Sequence, residues 1–357
     1  ATLAYVDNTN GRTYTAGLEW PIASGPTNLK VNLSGTGTRQ VIMPASFSRT
    51  IVGDTLTAGE LSIGANTLTI NGGITTGTGT LTGSTTSNLT LGGAAGTLNF
   101  TQTSAATRSL NDLNMGGSSS ATLGNDLDVY GAINFTSGGN LNLNAQHLTL
   151  KSNFTNTARI GNLTGSTLTG ATNVTMERWI PLRLNPLPYP PTEGGRAYRL
   201  LAPTVQTTTT IRQNWMENGL VNTVGGYSNP VSNYGTHITG AGGNTNGFDV
   251  TQTNQASLYL TTNGNPLVYT SIANTNGTLN PYTGYFLFIR GDRSVSMSIY
   301  NTNVPPTPVP LPTTSTTLRA TGTIQQGTKT NTNFTNAPIG GIGKQSLLTN
   351  PYPSAID

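Results

Sequence analysis

Residues 61–100 read LSIGANTLTINGGITTGTGTLTGSTTSNLTLGGAAGTLNF, and the spacing of the apolar residues in this stretch decides the fold. They come in pairs around one small polar residue: Leu61 and Ile63, Leu68 and Ile70, Leu89 and Leu91, Leu98 and Phe100. Outward from there the figure continues as Leu113 and Met115, Leu127 and Val129, Ile133 and Phe135, Leu141 and Leu143, Leu148 and Leu150. Single anchors fall in the same series at Ile74, Leu81 and Leu123. An apolar–polar–apolar triplet is what a strand with one buried face requires, because successive side chains point to opposite faces. Three such strands, with their turns, make a coil of roughly 21 residues, the repeat length of a β-solenoid. The expected fold is therefore all-β: a right-handed parallel β-helix with apolar side chains stacked inside and Thr, Ser or Asn outside. An open antiparallel sandwich stays as the alternative, since turn spacing alone does not separate the two.

Composition supports a folded, turn-dense chain. Of 357 residues only 8% are charged, with 44 glycines and 20 prolines. Disorder needs low hydrophobicity without pattern; here the apolar residues recur in register. The net charge of +4 is dispersed after residue 180, with no basic run, so nucleic-acid binding is not expected. There are no cysteines, and no apolar run approaches the roughly 20 residues that span a bilayer. A surface rich in Thr, Asn and Gly and poor in Lys points to export.

Three regions follow. Residues 1–180 form the β-helix with an atypical, capping N-terminal coil, in which Leu29, Val31 and Leu33 alternate. Residues 181–195 are a Pro-rich linker or loop. Residues 196–357 are richer in aromatics and Arg, and read as a β-sandwich-like domain, truncated at its C-terminus. Its expected strands are 197–201, 257–260, 285–290, 295–300 and 318–324. A helical turn or two is expected at 210–218, and a second Pro-rich loop at 304–312. The continuous apolar run Tyr285-Phe286-Leu287-Phe288-Ile289 reads as a strand buried on both faces.

The phrases NVTMERWIP, GRAYRLLAPTV, GYFLFIRGDRSV, TTLRATGT and NPYPSAID, in this order after the β-helical stretch, resemble those of large repetitive Bacteroidetes surface proteins exported by the type IX secretion system. Some of that family are gliding or attachment adhesins. The resemblance runs from about residue 56 to the end. It implies a secreted, non-enzymatic cell-surface protein: a stiff stalk, or a subunit of an extracellular filament. The partners it implies are glycans or other cell-surface material, further copies of the chain, and the translocon and carriers of that route. The order also implies a longer parent protein with a sorting domain.

No cofactor, metal or catalytic residue is assigned from the sequence. Asp126 and Asp128 are placed on one strand face, with Asp112 about a coil earlier. They are the residues a carbohydrate-active β-helix enzyme, lyase or glycosidase, would use, and that reading is the alternative function. His147 and His237 are the only histidines and have no acidic neighbours at ligand spacing. Arg290-Gly291-Asp292-Arg293 contains an integrin-type tripeptide but follows a strand, so it reads as turn chemistry, its arginines pairing with Asp292 or bracing carbonyls. Asp54-Thr55-Leu56 resembles the O-glycan acceptor pattern of the same bacterial group, with Thr55 as acceptor. Thr-x-Thr pairs such as Thr167 and Thr169 are ordinary outward strand residues.

Overall fold

The computed structural model describes residues 1–181, 197–219, 229–262, 267–294, 314–329 and 347–353. The chain divides into two compact units, Ala1–Lys151 with Asn156–Val174, and Ser152–Thr155 with Thr175–Asp357. The strand Val174–Ile180, the last stretch of the region expected as β-helix, thus belongs almost wholly to the second unit.

The first unit is a parallel β-solenoid of about seven turns. Each full coil has three strands, and three outer faces result. The first face stacks Thr2–Asp7, Asn28–Leu33, Gly53–Ala58 and Ile74–Thr76, and continues with Ala94–Leu98, Ser120–Leu123, Asn140–Asn142 and Thr167–Thr169. The second stacks Thr13–Thr15, Gln40–Ile42, Glu60–Ser62 and Thr80–Thr82, then Ser109–Leu110, Leu127–Val129 and Leu148–Leu150. The third stacks Arg49–Ile51, Thr67–Ile70, Asn88–Leu91, Asp112–Met115, Ala132–Phe135 and Arg159–Ile160. Every pairing in these stacks is parallel, so up-and-down sandwich pairing does not occur in this unit.

In-register stacking puts like on like. Leu68, Leu89, Leu113 and Ile133 form one column, and Ile70, Leu91 and Met115 the next. Leu61, Ile63, Leu98, Phe100, Leu127, Val129, Leu141, Leu143, Leu148 and Leu150 are likewise at most 1% exposed. Phe135 alone of the series is half-buried. The next strand on its face, Arg159–Ile160, pairs with Ala132 and Ile133 and ends before reaching it.

The repeat is less regular than the sequence suggests. Register offsets run from 19 residues (Arg49 opposite Leu68) to 27 (Ala132 opposite Arg159). Surplus residues loop out at corners; Thr101–Arg108 is one such excursion, closed by Thr107 Oγ1 donating to Thr101 O (2.9 Å). The paired corner glycines Gly92-Gly93, Gly116-Gly117 and Gly138-Gly139 do not all supply positive φ. Among them Gly138 does (φ 98°), but Gly93 does not. A Cβ on Gly93 would lie 2.2 Å from Asn71 O of the preceding coil, so it is close stacking of backbones that excludes a side chain there.

The N-terminal coil, whose first two strands are the edges of their sheets, is held by side-chain contacts of its own. Tyr5 and Tyr14, half-buried, donate to Glu19 Oε1 (2.6 Å) and Asp7 Oδ2 (2.5 Å). Trp20 is buried edge-on to Phe47, and Arg49 lies over the Phe47 ring and donates to Trp20 O (2.8 Å).

In the second unit the described strands form two small groups. Val174–Ile180, Thr316–Ile324 and Val205–Thr207 lie side by side, the last pair antiparallel. Ala197–Leu201, Gly284–Ile289, Leu258–Thr262 and Val268–Ser271 form an antiparallel four-stranded sheet. The apolar run 285–289 is buried on one face only: Tyr285, Leu287 and Ile289 point inward, whereas Phe286 and Phe288 are half-buried. Those two rings sit among Tyr198, Tyr259 and Tyr269, with Tyr198 stacked on Phe286 at 4.3 Å. Residues 211–218 make tight turns instead of a helix, through bonds such as Glu217 N to Asn214 O (2.9 Å). The described helix is the short 3-10 turn Gly243–Asn246. The expected strand at 295–300, the Pro-rich loop at 304–312 and nearly all of the linker lie outside the described residues.

Candidate functional site

The three outer faces of the solenoid differ in how their polar side chains are bonded. On the third face Asn114 Nδ2 donates to Thr90 Oγ1 (3.3 Å) and Asn134 Nδ2 to Asn114 Oδ1 (2.9 Å). Asn111 Nδ2 donates to Asn88 Oδ1 (3.1 Å). On the second face Thr101 Oγ1 bonds Thr80 and Thr82 (2.7 and 2.8 Å), and Thr82 donates to Glu60 Oε2 (2.7 Å). These bonds close those stretches of the two faces from coil to coil.

The C-terminal half of the first face is open. Ser120, Asn140 and Thr167 form one outward row and Thr122, Asn142 and Thr169 a second, two residues along each strand. A shallow groove of about 180 Å³ runs over them and reaches Gly96. No charged side chain lines it. Its asparagines are drawn into local bonds: Asn140 Nδ2 donates to Gly138 O (3.1 Å), and Asn142 Oδ1 accepts from Asn144 N (2.8 Å). The second is an Asx-type turn, in which Asn144 and Ala145 both take positive φ (51° and 56°). Thr167 Oγ1 donates to Asn140 Oδ1. Among the described residues, Ser120 Oγ, Thr122 Oγ1, Thr169 Oγ1 and Asn142 Nδ2 have no partner within the chain. The groove is thus neutral and offers both donors and acceptors.

The acidic residues singled out in the sequence lie elsewhere and are engaged. Asp128 is buried on the second face and bonded by Arg108 Nε (3.3 Å). Asp126 Oδ1, just before the same strand, accepts from His147 N (3.0 Å). Asp112 begins a third-face strand, where its Oδ1 accepts from Ala132 N (2.7 Å). Among the described residues no three His, Asp or Glu side chains converge in a way that would hold a metal.

Arg290-Gly291-Asp292-Arg293 is folded inward. Asp292 is 1% exposed and accepts from Asn233 N (3.0 Å) and Ser294 N (2.8 Å). Gly291 supplies the positive φ of the turn (94°). Arg290 lies over the Phe288 ring and donates to His237 O (3.4 Å), a carbonyl brace of the expected kind. Arg293, however, pairs not with Asp292 but with Asp249, at 2.6 and 3.0 Å, and His237 Nδ1 sits 2.8 Å from the same carboxylate. All three side chains are fully buried. Burial works against ionisation of Asp249, but the His237 hydrogen bond and the Arg293 charge outweigh it and hold the carboxyl below its ordinary value. No short sequence spacing announces this trio, which spans residues 237 to 293.

Thr55 is half-buried on the first face between Lys30 and Thr75, and the Asp54 of its tripeptide points into the core. Asp54 is 2% exposed, stacked in register between Leu29 and Ile74, and neither carboxylate oxygen has a hydrogen-bond partner. Burial pushes its carboxyl up to about 7. A sequence signal for this existed: Asp54-Thr55-Leu56 occupies an apolar–polar–apolar slot, with a carboxylate in place of an aliphatic side chain.

No family model, curated protein or solved structure matches the chain.

Proposed function

We propose that the chain is a non-enzymatic protein of the cell surface, a solenoid stalk or filament subunit that presents its second, β-sandwich-like unit and adheres to glycans or to sister copies. The observation that supports this best is the solenoid itself. Seven turns of in-register strands brace a rod, and its exterior of hydroxyls and amides bonds neighbours without long-range repulsion. Secretion by the type IX route and an origin among Bacteroidetes adhesins follow from the resemblance of the second half's phrases. The carbohydrate-active enzyme is disfavoured because Asp112, Asp126 and Asp128 each hold one coil to the next instead of facing a common space. Two measurements test the proposal. Surface labelling of intact producing cells, followed by electron microscopy of the released protein, is expected to find it outside as rods or filaments. Polysaccharide turnover by wild-type protein that disappears in Asp126→Ala/Asp128→Ala would refute it.

A further inference from the structure

We propose that the groove over Ser120, Thr122, Asn140, Asn142, Thr167 and Thr169 binds a neutral, linear polysaccharide laid along the stacking axis of the coils. This rests on the adhesin reading and deepens it by naming the contact. The contrast between faces carries it. Around Thr80, Thr82 and Thr101 on the second face, and from Thr90 to Asn134 on the third, hydroxyls and amides close their hydrogen bonds from coil to coil. The groove leaves three hydroxyls and one amide nitrogen open to solvent. Such groups exchange bonds to water for bonds to a ligand at little net cost, and a hydroxyl meets a sugar hydroxyl as donor or as acceptor.

The chemistry of the lining narrows the ligand further. With no cation in the groove, a uronate, sulfated chain or nucleic acid would bring charges that nothing there neutralises. The geometry selects a polymer: successive coils repeat the same pair of outward positions about every 4.8 Å. A chain of repeating hydroxylated units can meet that set again and again, as a single small molecule cannot. A lattice of ordered water is the poorer fit, because the rows mix Ser, Thr and Asn, whose polar atoms stand at different heights.

The test uses the full chain and soluble β-glucan, mannan and arabinan, with polygalacturonate and chondroitin sulfate as acidic comparators, in affinity electrophoresis and calorimetry at low and high salt. Saturable binding to at least one neutral chain, unchanged by salt, is the expected result. In Thr122→Val/Asn142→Leu that affinity is expected to fall about 10-fold or more, the loss of two or three net hydrogen bonds. Thr90→Val, on the third face and outside the groove, is expected to bind as wild type does. Thermal unfolding of each variant verifies that it folds. Binding confined to acidic chains, or neutral binding that the double variant retains, overturns the groove and leaves the surface-adhesin reading standing. Failure to bind any of the neutral chains also overturns the groove. The adhesin reading falls on a separate result, the absence of the chain from the outside of intact cells.

Discussion

Asp54 gives the sharpest test of the solenoid core. Its carboxyl occupies a column position between Leu29 and Ile74, with no partner for either oxygen and no titratable group at either in-register neighbour. In the unfolded chain this group titrates near 3.8; in the folded chain burial raises that to about 7. Between these values the folded state holds a proton that the unfolded state has released. Stability is therefore fully present below about pH 4, declines as pH rises toward 7, and is level above it. A difference of about three pH units at about 1.4 kcal/mol each amounts to about 4 kcal/mol between the two ends. Asp54→Leu restores the aliphatic column and removes the titration. It is expected to unfold at higher guanidinium concentration than wild type at pH 8, by up to about 4 kcal/mol, and the difference narrows toward pH 4. Asp54→Asn keeps an unpartnered polar group but loses the pH dependence. Hydrogen exchange in strands Asn28–Leu33, Gly53–Ala58 and Ile74–Thr76 localises the effect. A wild-type stability that is flat from pH 4 to 8, or an Asp54→Leu chain no more stable than wild type at pH 8, would show that the carboxylate is solvated and the column reasoning wrong.

Other substitutions probe separate features. Leu89→Ala empties a site fully buried between Leu68 and Leu113, and about 2–5 kcal/mol of unfolding free energy is expected to go with it in denaturant titration. Gly93→Ala places a methyl 2.2 Å from Asn71 O; a loss of about 1–3 kcal/mol is expected by the same assay, although the backbone φ there suits alanine. Arg293→Met removes the guanidinium that pairs with the buried Asp249, and thermal unfolding is expected to show a loss of about 3–5 kcal/mol.

Much of the solenoid was legible because its driving force is periodic. Leu61 with Ile63 and Leu68 with Ile70 announce one buried face per strand, and coils can stack such faces without any further information. What escaped the pattern depends on offsets between coils, which the sequence does not mark. The half-exposure of Phe135 follows from a strand two residues long on the next coil. The need for Gly93 follows from which carbonyl happens to lie beneath it. In the second unit the expected strands at 197–201, 257–260, 285–290 and 318–324 are found within two residues of those bounds, but their pairing was not legible, since strands there pair across long separations, as Ala197–Leu201 does with Gly284–Ile289. The apolar run 285–289 looked buried on both faces because an aromatic cluster and a core strand are equally apolar in sequence.

The open groove shows how a repeat of one composition acquires a distinct face. Thr80 and Thr101 show that two hydroxyls on adjacent coils can close a bond when nothing nearer competes. At Asn142 something does: its Oδ1 accepts from Asn144 N in the turn at Asn144 and Ala145, and Thr122, opposite Asn142 in register, does not donate to it. At Asn140 the local carbonyl of Gly138 takes the amide, and Ser120 is left in the same position. On the third face Asn114 and Asn134 lie mid-strand, away from such turns, and bond each other. The availability of a face to a ligand is thus set by where its asparagines fall relative to corners. Displacing the turn is therefore expected to close the groove. Asn144→Ala keeps the amide N–H but disfavours the left-handed conformation that presents it to Asn142. Freed Asn142 can then reach Thr122, and polysaccharide affinity is expected to drop although no groove-lining residue has changed. Unaltered affinity in Asn144→Ala would break the link between corner geometry and the open face.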